Sequence, residues 1–524
     1  MKQKTTYIYL LAFILLAYIL LPVLNADYLF TIQDNGIFIN GKTFMSDMTN
    51  HYGGPATWIS CYLTQYMYYP WLGSTILVFL WTLIYLSSVW LLNPKGHWAA
   101  LLLIIPAALL FNILDYGYWI YYAKSPGFIF QPTLLTTLAI LAASLLRASL
   151  SLAKAKLFFT AKGKQKHAVQ EKWTSRTATS VILLIITFAL TPLVGQWRLN
   201  NHRSSILTTL TDANFNHEMS MYRSLDEMRF KDVLAEYQTC KDTPTNLIVL
   251  YKNTALLHTG QMTDMFKTQN IGIKPEGDSL PKLTISRLGA SLIYYLHGHT
   301  LFAYWRAMEN NVQYGQNFRS IKMMARCAII NQEFDLAFKY LIILRSSLFH
   351  RKWAEERISY LSNSTALSQS EEYQIVTPLT MAIPTILDND EGLCQKYLMD
   401  TFSTLFVQSP ATEDLAICMS LWNLDVYSFC VHFYDYVNSH PDAAIPQLYQ
   451  EGAILLGTSE ESPITLDGFR FDRLISDKFN QFVTEYTHMR SLGIDEQEIG
   501  RKLKPSYGST YWWYYYFCPP INFY

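Results

Sequence analysis

Along the first 195 residues the chain is organised by runs that carry no Asp, Glu, Lys or Arg. A charge at the bilayer centre costs about 2.5–3.5 kcal/mol on insertion scales, so such runs are candidate membrane spans. Five emerge, at about 5–25, 74–92, 97–114, 127–146 and 178–196. Each supplies close to the roughly 20 residues that a helix needs to cross the hydrocarbon, and the third is the shortest. "MKQK" and Ala26 give the first run some features of a cleaved signal peptide, but Leu24 is large where a small residue is wanted. A retained span is expected.

The segment "GGPATWISCYLTQYMYYPWLG" has a different period. After the Gly-Gly-Pro turn signal, Trp58, Ile59, Tyr62, Leu63, Tyr66 and Met67 recur at helical spacing, while Thr57, Ser60, Thr64 and Gln65 fall on other faces. This predicts an amphipathic helix over 56–69 lying in the outer interface, stopped by Pro70. The alternative is a sixth span, which would reverse the side on which the rest of the chain lies.

From residue 196 to 504 there is no long apolar run. Instead, helical patterns are broken by short polar turns, which predicts an all-α region. Phe230, Val233 and Tyr237 repeat an apolar spacing of three and four seen again at Thr300, Ala303 and Ala307, and at Phe334, Ala337 and Leu341. Gly260, Met262 and Met265 give a further copy. The register points 230, 262, 300 and 334 lie 32, 38 and 34 residues apart. A later stretch gives Val426, Phe429 and Phe433. "TEDLAICMSLW" and "VYSFCVHFYDYV" read as one hairpin turning near Asn423 and Leu424, with Cys418 and Cys430 at equal height and a disulfide possible between them. The tail, 505–524, holds seven consecutive aromatics, Tyr511 to Phe517. Flanking Pro505, Gly508, Pro519 and Pro520 favour an extended segment.

Charge separates the halves. Residues 1–195 hold 13 Lys/Arg and 5 Asp/Glu; the remainder holds 28 and 36, so a net charge of zero hides +8 and −8. With the N-terminus inside, the inner loops carry eleven Lys or Arg and the outer loops only Lys42 and Lys124. That bias puts the N-terminus in the cytoplasm and the C-terminal region outside it. The basic loop 147–176 then reads as an orientation signal, and nucleic acid is not an expected partner.

The repeat spacing resembles tetratricopeptide repeats, with Ser291 and Ala325 at the small position of the first helix; the consensus Trp and Leu-Gly are mostly absent. The resemblance implies a helical solenoid, and an irregular α-helical domain is the alternative. The layout also resembles an uncharacterised family of bacterial polytopic membrane proteins, through Gln65 to Gly73 ("QYMYYPWLG") and Thr510 to Trp512 ("TYW"). That resemblance implies an inner-membrane, multi-pass protein and no particular activity. The expected domains are therefore a transmembrane bundle (1–195), an extracytoplasmic helical-repeat region (196–504) and the tail.

Catalytic motifs are missing: no HExxH, GxSxG, P-loop or CxxC occurs. His297 and His299 form "HGH" but have no visible third ligand, so neither metal nor cofactor is expected. Asp27, Asp34 and Asp115 collect at the outer membrane edge. They would be the base of a membrane enzyme acting on a lipid-linked or envelope glycan. The first expectation is instead a non-enzymatic scaffold that binds a protein or peptide. Trp58, Tyr62, Tyr66, Tyr118, Trp119, Tyr121 and Tyr122 are expected at the lipid interface. Tyr511, Trp512 and Trp513 either dock there, cap the helical region or stack on a sugar.

Overall fold

The computed structural model describes residues 2–51, 53–94, 96–121, 127–160, 208–241, 244–267, 289–383, 394–405, 410–458 and 468–518. Among them all regular structure is helical, as expected, and no strand forms. The chain divides into two compact units. One is Met1–Asn216 with Asn311–Ile321 and Ile342–Glu355; the other is His217–Asn310, Lys322–Leu341 and Glu356–Tyr524.

In the first unit the opening helix, Lys2–Tyr18, loosens into a π-turn, Ile19–Val23, around Pro22. Proline has no N–H to give and its ring collides with the preceding turn, so the helix must widen or kink. The widened turn is closed by Leu24 N–H to Ile19 O (3.1 Å), Asn25 N–H to Leu21 O (3.0 Å) and Asn25 Nδ2 to Leu20 O (2.7 Å). The chain then bends by 66° into the helix Ala26–Asp34. Pro70–Leu92 starts on a proline, which costs no hydrogen bond in a first turn, and ends on Asn93 in the left-handed region. It packs on Gln131–Thr160. Trp81 Nε1 donates to Thr133 Oγ1 (3.2 Å), and Arg147 Nη1 donates to Trp90 O (2.8 Å) and to Leu91 O. The contacts advance together along both helices, so the two run parallel.

The expectation of five spans is met only in part among the described residues. Two helices, Pro70–Leu92 and Gln131–Ser149, are long and apolar enough to cross a membrane, and the bent pair makes a third if it counts as one span. Trp98–Leu114 is a shorter apolar helix, and 178–196 lies outside the described residues. The outward surfaces of these helices carry Leu11, Leu15, Phe79, Leu86, Leu138 and Leu145, all exposed. Soluble surfaces rarely expose so much contiguous apolar side chain.

The second unit is built on a repeated turn. Met228, Gly260, Gly298, Gln332, Leu424 and Gly493 have φ of 57°, 67°, 82°, 62°, 57° and 72°. After each, the next N–H reaches back to a carbonyl five residues earlier: Arg229 to Ser224, Gln261 to Leu256, His299 to Tyr294, Glu333 to Ala328, Asp425 to Ser420 and Ile494 to Met489. This is the Schellman closure, which satisfies the last carbonyls of one helix while reversing the chain. The following helices start at Phe230, Thr300, Phe334 and Val426, the register points expected from sequence. At Met262 the second arm is only a three-residue 3-10 turn. Val233, Ala303, Ala337 and Phe433 are fully buried, as are Ser291 and Ala325 of the first arms.

The tail departs from expectation. Pro505 sits inside the helix Glu496–Tyr507, and Tyr511–Phe517 is a helix rather than an extended segment. Tertiary packing overrides the flanking proline and glycine signals. Tyr511, Trp512, Trp513 and Tyr514 are buried in the second unit, so these rings are not presented to a lipid interface or to a sugar. Trp512 packs on Phe479 with ring centres 5.3 Å apart, and Phe266 lies 4.8 Å from Tyr514. The hydroxyls of Tyr511 and Tyr514 donate to Leu421 O (3.1 Å) and Trp422 O (2.8 Å), the last carbonyls of the helix Pro410–Trp422. Glu451 accepts from Tyr511 N–H (2.8 Å) at the start of the tail helix, a bond that favours its charged form, while burial opposes that form more strongly and pushes the carboxyl up. The tail is a cap for this unit.

Candidate functional site

Of the three acids singled out in the sequence, Asp34 is not where a water-facing loop would put it. The bend after Pro22 continues the chain as helix, and seven of the nine residues of Ala26–Asp34 are buried. Asp34 Oδ2 accepts from Arg319 Nε at 3.3 Å, with side chains 3% and 6% exposed. Beside it, Gln33 Nε2 lies 2.9 Å from His350 Nε2, and Phe318 N–H donates to Gly36 O (3.3 Å). Separating this carboxylate from the guanidinium would leave a buried charge unpaired, so the pair is part of the packing. Asp27, in the first turn of the same helix, and Asp115, at the end of Ile104–Leu114, are half-buried.

The helix expected over 56–69 forms, as Pro55–Thr64 followed by a 3-10 turn to Tyr68. Its faces are inverted relative to a water-soluble helix. Thr57, Ser60, Thr64 and Gln65 are buried, while Trp58, Tyr62 and Tyr66 are half-buried and Ile59 is exposed. The small polar face packs inward: Gln131 Nε2 donates to Thr57 Oγ1 (3.0 Å), and a Cβ on Gly127 would lie 2.5 Å from that of Ser60. Both amide atoms of Gln65 are buried without a partner among the described residues. Outside, Trp58 and Tyr62 stack at 6.5 Å, the Tyr62 and Tyr66 hydroxyls share a 2.9 Å hydrogen bond, and Tyr66 meets Phe349. Tyr118 is instead buried against Phe215, and Trp119 is half-buried. Tyr122 and the side chain of Tyr121 lie outside the described residues.

Sequence reasoning missed a charge network in the second unit. Asp226 accepts from Lys322 (2.7 Å) and Arg326 (2.6 Å); Arg326 Nε lies 2.7 Å from Glu372, which also accepts from Tyr295 (2.8 Å) and Arg357 (2.9 Å). Burial alone would raise the Glu372 carboxyl, but Arg326 and Arg357 outweigh it and hold it at about 2. The network lines a cleft with Tyr360, Ser370 and Tyr373, whose floor has about 10 Å³ of space, roughly what one water needs. It is built to join helices rather than to receive a substrate. The acids and bases lie tens of residues apart, so only the fold brings them together.

His297 and His299 diverge. The first donates from Nδ1 to Ile293 O (2.8 Å) and faces Phe402, while the second packs on Tyr294 and Phe302. Among the described residues no group of three or more His, Cys, Asp or Glu is placed to hold a metal ion. Cys418 and Cys430 do lie on the two arms of one hairpin, but both thiols are free and no bond joins them. Cys418 is turned toward Tyr449, and burial pushes its thiol well up.

No curated protein and no solved structure matches the chain. A family model covers residues 2–125 and 116–518, nearly the whole length, and the chain belongs to that family, a family of unknown function (DUF6057).

Proposed function

We propose that this protein is a membrane-anchored scaffold of the bacterial envelope. Its first unit sits in the inner membrane with the N-terminus in the cytoplasm, and its second unit is a tetratricopeptide-like array that binds a protein or peptide outside. The observation that carries this reading is the contrast between the units: apolar side chains turned outward on the first, helices reversed again and again by the same left-handed turn in the second. The inverted faces of Pro55–Thr64 support an interfacial helix, since aromatic rings concentrate at that depth. Trp98–Leu114 supports a further crossing, because its 3-10 start rises faster than an α-helix. Six residues at about 2.0 Å and eleven at about 1.5 Å reach about 28 Å, close to the hydrocarbon thickness.

The enzymatic alternative would draw its base from Asp27, Asp34 or Asp115. The ion pair of Asp34 with Arg319 weighs against it. The test is a pair of fusions after Tyr524, one to a reporter active only in the cytoplasm and one to a reporter active only outside. Activity of the outer reporter alone is expected; activity of the cytoplasmic one would overturn the orientation. Crosslinking in intact cells, with recovery of the same envelope protein by the wild type but not by a chain lacking 217–310, tests the binding role.

A further inference from the structure

The helix Gln131–Thr160 outlasts its apolar stretch. Its 30 residues extend about 45 Å, against about 30 Å of hydrocarbon, and its charge-free run ends at Arg147. Arg147 stands at that exit. One of its nitrogens, Nη1, is occupied by the carbonyls of Trp90 and Leu91 at the end of Pro70–Leu92, and its guanidinium lies 5.2 Å from the centre of the Trp90 ring. That helix end offsets only about half a unit of charge. The Nε and Nη2 edge of Arg147 meets no carboxylate among the described residues. Trp90 is itself 53% exposed, an indole beside a cation at the level where hydrocarbon gives way to headgroups.

We propose that Arg147, seated on Trp90, holds the phosphate of an anionic phospholipid. The planar edge of a guanidinium matches two phosphate oxygens, and the Trp90 ring gives the glycerol and upper acyl chain a surface to lie on. This rests on the membrane reading of the first unit. Each basic residue at a membrane surface favours anionic lipid about fivefold.

The experiment uses the full chain, extracted in mild detergent from an equimolar mixture of phosphatidylglycerol and phosphatidylcholine, with retained lipid counted by native mass spectrometry. The wild type is expected to keep phosphatidylglycerol in preference, Arg147→Gln to lose about fivefold of that preference, and Arg147→Lys, which keeps the charge, to retain most of it. Arg147→Lys keeps a cation and a donor for the Trp90 and Leu91 carbonyls, so a loss confined to Arg147→Gln is not a folding defect, and equal loss in both overturns the role of the charge. Equal retention of the two lipids by the wild type overturns the proposal. Displacement of the lipid by inorganic phosphate overturns its assignment to a headgroup. A chain that alkaline carbonate washes out of membranes overturns the membrane reading itself, and this proposal with it.

Discussion

At the residue scale, the turn residues make opposite predictions from one geometry. A left-handed backbone costs an L-residue about 1–2 kcal/mol, which glycine avoids. Gln332 is exposed and has φ of 62°. Gln332→Gly is expected to stabilise by up to about 1 kcal/mol, the gain being reduced by the extra freedom of an unfolded glycine. Gly298→Ala should do the reverse by more, since its Cβ would lie 2.5 Å from the backbone of Leu379 and Thr380. Urea unfolding followed by helical circular dichroism measures both; equal shifts of one sign would refute the argument. The buried histidines set a pH dependence. Burial lowers His258 to about 3, with His297 adding repulsion, and lowers His297 to about 4. Both take up protons on unfolding below about pH 6.5, so stability falls as pH falls, by about 1.4 kcal/mol per pH unit for each. Glu372 contributes only below its unfolded value of 4.5. Unfolding at pH 7 and pH 5 should show the loss, and His297→Gln should roughly halve the slope. At this scale the turn positions were readable from aromatic and small-residue spacing. The inverted burial of Thr57, Ser60 and Thr64 was not, because hydrophobic periodicity names two faces without saying which is inside.

At the element scale, the tail helix shows where local signals lose. Prolines and glycines around Tyr511–Phe517 favour extended chain, but four buried rings at about 1.5–3 kcal/mol each outweigh that preference. Tyr514→Phe removes the hydroxyl that caps Trp422 O and is expected to cost about 1 kcal/mol. Ending the chain at Thr510 exposes Phe266, Phe479 and Phe482. Such a chain should be cleaved by protease under conditions the full chain survives. Survival of both would mean that the cap contributes nothing. Gly500 belongs to the same contact, with a Cβ there falling 2.9 Å from the Phe517 ring. The apolar run around Pro22 was legible as a helix of spanning length. Its 66° bend was not, since it depends on how the π-turn is closed by Asn25.

At the scale of the whole molecule, the structure has two compact units, and their bounds are not those of the charge asymmetry at residue 195. What the sequence could not disclose is that Asn311–Ile321 and Ile342–Glu355 belong with the N-terminal unit, since contacts between residues hundreds apart leave no periodic trace. The Asp34–Arg319 pair is one such contact, and breaking it by Arg319→Ala is expected to cost about 3–5 kcal/mol. Replacing both partners, Asp34→Leu with Arg319→Met, should recover much of that loss. A double variant no more stable than Arg319→Ala would show that the two side chains act independently.

That pair also sets a clock. A ribosome adding about 5–20 residues per second needs roughly 15–60 s to travel from one partner to the other. During that interval Asp34 has emerged and Arg319 does not exist. The limb Ala26–Asp34 therefore cannot settle in its final surroundings as it is made. Its final packing waits for a partner made much later, so an early segment of the chain is among the last to be finished.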